Sequence, residues 1–475
     1  MGCEGSMKIC RKLLIGIAFL NFSCGQHPRH HRIKVDAGQL FNEDKPLDLA
    51  DKVLATWGSS VCDGVGADRG KGWTDQLEKY YAAGSGPQLL HRSTPGHKTD
   101  SKESRAERNK VLSANYAIIC LSLGNQGLAR ARSESQAKRV IDSYLDDIFW
   151  DVDPADGDPV SMVSYLRSIG VTPIITLAYG NSFYQPWQCE KLVQANILQQ
   201  SLGVPSINHL GSTNASNSLQ PNDCRWADGA NGTLDAKNDF AHPNNLGHTE
   251  NFFAFPPDLI FALAGGKPQP QRSIDNQGFT ITRNNHRLFF YQPDHEMHSY
   301  TLQFGYKTGG NGVIGMVDVG DDRSIYVSLL AGKLRLHTNF DETIIESESI
   351  TNDGLWHDVA VTYSYVRQKI SLYSDGLLVR EQSLDRNRPL FPLGFLMGGD
   401  HDQSLVRPDK VSYRDLFVNR VPLHALEVKE RATTSWLGSG SLDIYAPIEA
   451  SDLLINRAQT QQKISFGLYP RGKNF

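Results

Sequence analysis

The pattern of apolar residues changes once along the chain, and that change constrains the fold more than any other feature. From about residue 52 to 263, apolar strands alternate with stretches of helical spacing. Residues 53–57 read as a buried strand and 73–81 as a helix, and 116–123 is an apolar strand stopped by Gly124. Residues 134–149 carry Val140, Ile141, Tyr144, Leu145 and Ile148 at helical intervals; 161–168 read as a further helix and 171–177 as a further strand. Such alternation predicts a parallel sheet covered on both faces. Gly265-Gly266-Lys267-Pro268-Gln269-Pro270-Gln271 then reads as a linker. Beyond it come short β-rich runs at 300–306, 324–329, 333–338, 359–364 and 368–373. Asp375-Gly376 between two apolar runs is a two-residue hairpin signal. Evenly spaced strands without helices predict a β-sandwich.

The ends and the charge balance narrow the setting. The chain has 475 residues, room for two to four domains at roughly 100–200 residues each. Charged residues are 21% and the net charge is −4, which excludes a wholly disordered chain and a basic nucleic-acid binder. A basic start at Met7-Lys8-Ile9-Cys10-Arg11-Lys12 precedes the apolar run 13–20. That run is far below the ~20 residues that span a bilayer, and its flanks describe a secretory signal. Cys24 stands where a lipoprotein cysteine is acylated; a rival reading is myristoylation at Gly2 beside Cys3. The expectation is an exported protein, secreted or held at the cell surface or in the periplasm, touching membrane only through an anchor at Cys24.

Of the seven cysteines, Cys62, Cys120, Cys189 and Cys224 lie past that leader. Cys189 and Cys224 flank a stretch rich in Asn, Ser and Gly and are the expected bridge. Cys62 and Cys120 read as small buried hydrophobes. With no C-x-x-C pair and no His/Cys cluster, structural zinc is not expected.

Four short segments of the first half carry chemistry. Gly58-Ser59-Ser60 follows a strand, where α/β folds place their sites, although a cap or ST-turn has the same pattern. Gly64, Gly66 and Gly70 lack the spacing of a dinucleotide or phosphate loop. Asp239-Phe240-Ala241-His242-Pro243-Asn244 can bring a carboxylate to one imidazole nitrogen, with Pro243 holding His242 on the loop before a helix. Asn125 closes the strand 116–123, either as a turn residue or as an amide donor to an oxyanion. Gly96 lies in the turn Ser93-Thr94-Pro95-Gly96, which can aim a backbone N–H the same way.

These blocks, in this order over roughly residues 52–263, resemble the SGNH (GDSL-like) hydrolase family. The resemblance implies a three-layer, flavodoxin-like α/β domain. It also implies a Ser60, Asp239 and His242 triad, with an oxyanion hole from Ser60, Gly96 and Asn125. No metal or cofactor is implied. Two departures stand out: Ser59 replaces the family's usual Asp, and Gly124-Asn125-Gln126 lacks the usual spacer and Asp. Asp353-Gly354-Leu355-Trp356-His357-Asp358, followed by residues 370–379, resembles the concanavalin A-like, laminin-G-type sandwich. Trp356 is either a sugar platform or a core or edge residue. Asp321, Asp322 and Asp400 are either calcium ligands or solvated turn carboxylates.

The expected organisation is therefore a leader at 1–24, a hydrolase domain at 25–265 and a linker at 266–275. A sandwich follows at 276–425, and 426–475 is unassigned. The expected function is an exported esterase removing acyl groups, such as O-acetyl from a carbohydrate, with a glycan bound by the sandwich. A lipid- or thioester-directed esterase and a non-catalytic carbohydrate-binding surface protein are the alternatives.

Overall fold

A computed structural model describes residues 47–467, except 96–107, 151–160, 214–222, 227, 230–231, 234, 237–238, 274–275, 283–286, 292–295, 342–343, 385–388, 399–407, 450–451, 454 and 463. The leader with Cys24, Gly96 and Asp400 lie outside the described residues.

The first half alternates as its sequence predicts. The elements are β1 (Val53–Gly58), α1 (Trp73–Ala82), β2 (Gln88–His91), β3 (Tyr116–Cys120), α2 (Glu134–Phe149), α3 (Met162–Ser168), β4 (Thr172–Thr176), α4 (Pro186–Gln200), β5 (Ser206–Ile207) and α5 (His209–Thr213). Ser133 and Ser161 cap α2 and α3 by accepting the N–H groups of Gln136 and Ser164. The sheet is parallel, in the order β2-β1-β3-β4-β5, a doubly wound order. Its residues alternate between two cores. Ala55, Trp57, Ala117, Ile119 and Ile175 pack with α2, α3 and α4. Leu54, Tyr116, Ile118, Cys120 and Ile174 pack with α1 and, further along the chain, with Ala254, Leu259 and Ile260.

Short strands β6 (Asp228–Gly229), β7 (Gly232–Thr233), β8 (Asp235–Ala236) and β9 (Asp239–Pro243) lead into α6 (Asn245–Ala254) and α7 (Leu259–Ala264). His242 therefore lies on a strand rather than a loop. Asn244, not Pro243, starts the helix: its side chain accepts the N–H groups of Leu246 and Gly247 at 3.0 and 3.1 Å.

The second half is a sandwich. Its strands are β10 (Phe279–Thr282), β11 (Arg287–Tyr291), β12 (Tyr300–Lys307), β13 (Gly312–Asp318), β14 (Ser324–Leu330), β15 (Lys333–Thr338), β16 (Ile344–Ile350), β17 (Trp356–Ser364), β18 (Lys369–Ser374), β19 (Leu377–Ser383), β20 (Gly394–Met397) and β21 (Lys410–Asn419). Helix α8 (Ala425–Thr433), β22 (Leu442–Ala446) and β23 (Ile464–Gly467) complete it. One sheet runs β10-β21-β12-β17-β18-β19 with β22 beside β21; the other runs β16-β15-β14-β13-β20-β11-β23. Asp375 and Gly376, at φ 50° and 75°, turn the hairpin β18–β19 as their sequence predicts.

The tail and the linker both pack against the rest of the chain. The unassigned tail does two jobs: β22 and β23 extend the two sheets, while α8 reaches the first half. Glu427 accepts from Gln200 at 3.2 Å and from Asn208 at 3.1 Å. The linker is fastened. The Lys267 ammonium donates to Thr460 O at 2.7 Å, and Arg272 pairs with Asp415 at 3.2 Å.

Candidate active site

Ser60 lies just past the C-terminal end of β1, beside the strand-order switch between β1 and β3. Gly58 closes the strand because a Cβ there would lie 2.0 Å from Cys120 O on β3. The chain then turns tightly: Cys62 N–H and Asp63 N–H both donate to Ser59 O, and Val65 N–H donates to Ser60 O at 2.9 Å. The Ser60 N–H has no acceptor among the described residues and is free for a ligand oxygen.

His242 meets this turn from across 182 residues of chain: its Nε2 lies 2.6 Å from Ser60 Oγ. That is hydrogen-bond reach for a base on a nucleophile. Asp239 stands three residues earlier on the same strand, and its side chain lies outside the described residues. Asn125 lies in the turn that ends β3, its backbone N–H donating to Ser122 O at 3.1 Å.

Ser59 is buried beside Ser60. Its hydroxyl reaches Cys120 O at 3.4 Å and Tyr179 Oη at 3.3 Å. Tyr179 is also hydrogen-bonded to Ser122, so the ends of β1, β3 and β4 are joined through one phenol. Burial raises the Tyr179 pKa and the two serines partly offset it, so this phenol stays a neutral link.

Sequence reasoning missed two parts of this site. The first is a disulfide between Cys62 and Cys120, with Cα atoms 6.0 Å apart. The two cysteines are not free hydrophobes. They tie the turn that carries Ser60 to β3, and the signal was their position near the ends of two neighbouring strands. The second is Gly66, at φ 101°, where a Cβ would come 2.3 Å from Pro243 O and 2.9 Å from His242 Cβ. Only glycine lets the turn after Ser60 and the strand that carries His242 approach this closely. The expected Cys189–Cys224 bridge is present.

Among the described residues one group could hold a metal ion: Asp75, Glu78 and His91, whose ligand atoms all lie within 4.8 Å of one another. These side chains already have protein partners. Asp75 accepts Gly72 N–H at 3.0 Å, and His91 lies 3.4 Å from Glu78. On the sandwich, Trp356 is half-buried at the start of β17, with the Arg414 guanidinium 4.5 Å over its ring. Asp321 and Asp322 lie in the β13–β14 turn at φ 53° and 57°.

Residues 307–416 match the family model of the laminin G domain. The C-terminal half is thus a laminin G-like sandwich. No curated protein matches the chain. Among solved structures, the chain is similar to the heptameric SAP-like pentraxin of Limulus polyphemus, at 16% identity and TM-score 0.28, covering 42% of this chain and 93% of the pentraxin. It is similar to domains LG4-5 of the mouse laminin alpha1 chain, at 16% identity and TM-score 0.26, covering 33% of this chain and 47% of that one. It is also similar to the binding domain of botulinum neurotoxin DC in complex with SialylT, at 13% identity and TM-score 0.26, covering 34% and 43%.

Proposed function

We propose that the protein is an exported serine esterase whose first half cleaves ester-linked acyl groups and whose sandwich holds the glycan that bears them. The observation that carries the catalytic reading is the 2.6 Å hydrogen bond between Ser60 Oγ and His242 Nε2 at the C-terminal edge of a parallel sheet. His242 takes the Ser60 proton as Oγ attacks the acyl carbonyl, then returns it to the leaving alcohol. Asp239 is assigned to orient the imidazole. The Ser60 N–H, with Gly96 and Asn125, is assigned to the oxyanion; losing one such donor typically costs ~2.7–4 kcal/mol of barrier. Water attack on the acyl-serine then frees the acid. Two disulfides suit an oxidising compartment, in line with the basic-then-apolar leader.

The laminin G match favours a second reading, a carbohydrate-binding surface protein without catalysis. A fluorophosphonate probe and p-nitrophenyl acetate separate the two. Wild type is expected to label at Ser60 and to hydrolyse the ester. Ser60→Ala is expected to abolish labelling, and His242→Ala to slow hydrolysis by about a thousandfold or more. A wild-type protein that does neither, yet retains acetylated glycans on a column, leaves the binding reading alone standing.

A further inference from the structure

The nucleophile turn is gripped from behind by its carbonyl oxygens. Val61 O accepts the indole N–H of Trp73 at 3.1 Å, and Cys62 O accepts the Thr74 hydroxyl at 2.9 Å. Both donors sit in the first turn of α1. The third grip comes from the other side of the site. His248 Nε2 lies 3.1 Å from Val65 O, and its Nδ1 lies 3.3 Å from Trp73 N. A backbone N–H can only donate and a carbonyl can only accept. The ring is therefore the tautomer with its proton on Nε2, giving to Val65 and receiving from Trp73.

The placement of this ring matters. His248 is fully buried on α6, six residues past His242. Val65, which it holds, donates its own N–H to Ser60 O. The next residue, Gly66, is where the turn meets the His242–Pro243 backbone. One imidazole thus joins the start of α1, the turn that carries Ser60 and the helix that follows His242.

We propose that His248 is a positioning residue that fixes the distance between Ser60 and His242. Its catalytic consequence rests on the serine-hydrolase reading. Its structural consequence, a pinned Val65–Gly66 segment, does not.

Three variants separate the ring's roles. His248→Met keeps apolar bulk and removes both hydrogen bonds. His248→Asn keeps an acceptor near the Nδ1 position and loses the donor to Val65. His248→Gln keeps a donor near the Nε2 position. With p-nitrophenyl acetate, Met and Asn are expected to lower kcat by about tenfold to a hundredfold, the range a misplaced reacting group produces. Their KM should stay within about twofold, because binding surface is untouched. Gln should recover most of kcat. Hydrogen exchange at the Val65 amide, read without any substrate, should quicken in Met and Asn and stay slow in Gln.

An unchanged kcat in His248→Met, or a loss of kcat in all three variants that Gln does not relieve, overturns the proposal. If wild type fails to label at Ser60, the hydrolase reading falls. The exchange data then decide the clamp alone: uniform protection in all three variants overturns it, and the Met/Asn-against-Gln split upholds it.

Discussion

The two halves of the molecule treat the faces of their sheets differently. The parallel sheet is apolar on both faces and is covered by helices on each. The sandwich closes its own core between two sheets, with Tyr300, Leu302, Phe304, Val359, Val361, Ile370 and Leu372 pointing inward. The opposite face of that same sheet offers Thr301, Gln303, Thr362 and Ser371, and these are buried too. Thr301 Oγ1 donates to Val421 O at 2.8 Å, and Gln303 Nε2 donates to Asp358 at 2.8 Å. Ala360, Tyr373, Val421, Leu423 and Val428 from the second half share a core with Leu54, Trp73 and Ile174 from the first. A strand that alternates apolar and polar residues ordinarily has a solvated face. Here the polar face is a mating surface, and the halves are not beads on a string.

The largest effect follows from that shared core. A chain ending at residue 265 strips Val421, Leu423 and Val428 from the wall behind α1 and leaves an apolar surface in water. It is expected to be insoluble or molten. The intact chain is expected to unfold in one calorimetric transition; two separated transitions would show that the halves are independent modules.

Next comes the buried ion pair at the seam. Arg420 and Asp443 are 3.2 Å apart and essentially inaccessible. Arg420 also donates to Phe253 O at 2.9 Å, in the first half, and to Glu296 O. Arg420→Met strands a buried carboxylate and should cost about 3–5 kcal/mol in urea unfolding. The double variant Arg420→Met/Asp443→Leu should recover much of this, because the desolvation cost goes with the pair.

The disulfides sharpen the comparison within the first half. Cys62–Cys120 and Cys189–Cys224 close loops of 58 and 35 residues, so each should contribute about 2–4 kcal/mol. Only the former fastens the turn that carries Ser60. Replacing both of its cysteines by serine should slow fluorophosphonate labelling. The Cys189/Cys224 pair of replacements should lower stability comparably and leave labelling closer to wild type.

Legibility in the sequence followed the range of the interaction. Hairpin Asp375-Gly376 and the strand–helix alternation are local, and local chemistry decided them. Ser60 and His242 stood out because each sits at an element end with a characteristic neighbour. Gly66, His248 and the Cys62–Cys120 bond did not, because their roles depend on two distant segments meeting. Thr301 and Gln303 meet the same limit: whether a polar strand face meets water or another half of the molecule is not written in the strand.

The smallest effect tests the seam through pH. His424 is buried at the N-terminus of α8, between the halves, and its Nδ1 accepts Leu426 N–H at 3.2 Å. Burial pushes its pKa from 6.5 down to about 4. In the unfolded chain the ring takes a proton near pH 6.5, whereas in the folded protein it resists until about pH 4. Between those values the unfolded state binds more protons, so this group's contribution is whole above pH 6.5 and declines as pH falls. By pH 5 the loss is about 2 kcal/mol on linkage arithmetic. His424→Asn keeps an acceptor for the helix cap and removes the titration. Wild type and variant should have similar urea midpoints at pH 7.5, and the variant should gain on wild type as pH falls to 5. Taking the difference cancels buried histidines such as His209 and His248, which are present in both proteins. Parallel curves would mean that the ring is wetted in solution and that the seam around α8 is looser than the close packing of the two halves implies.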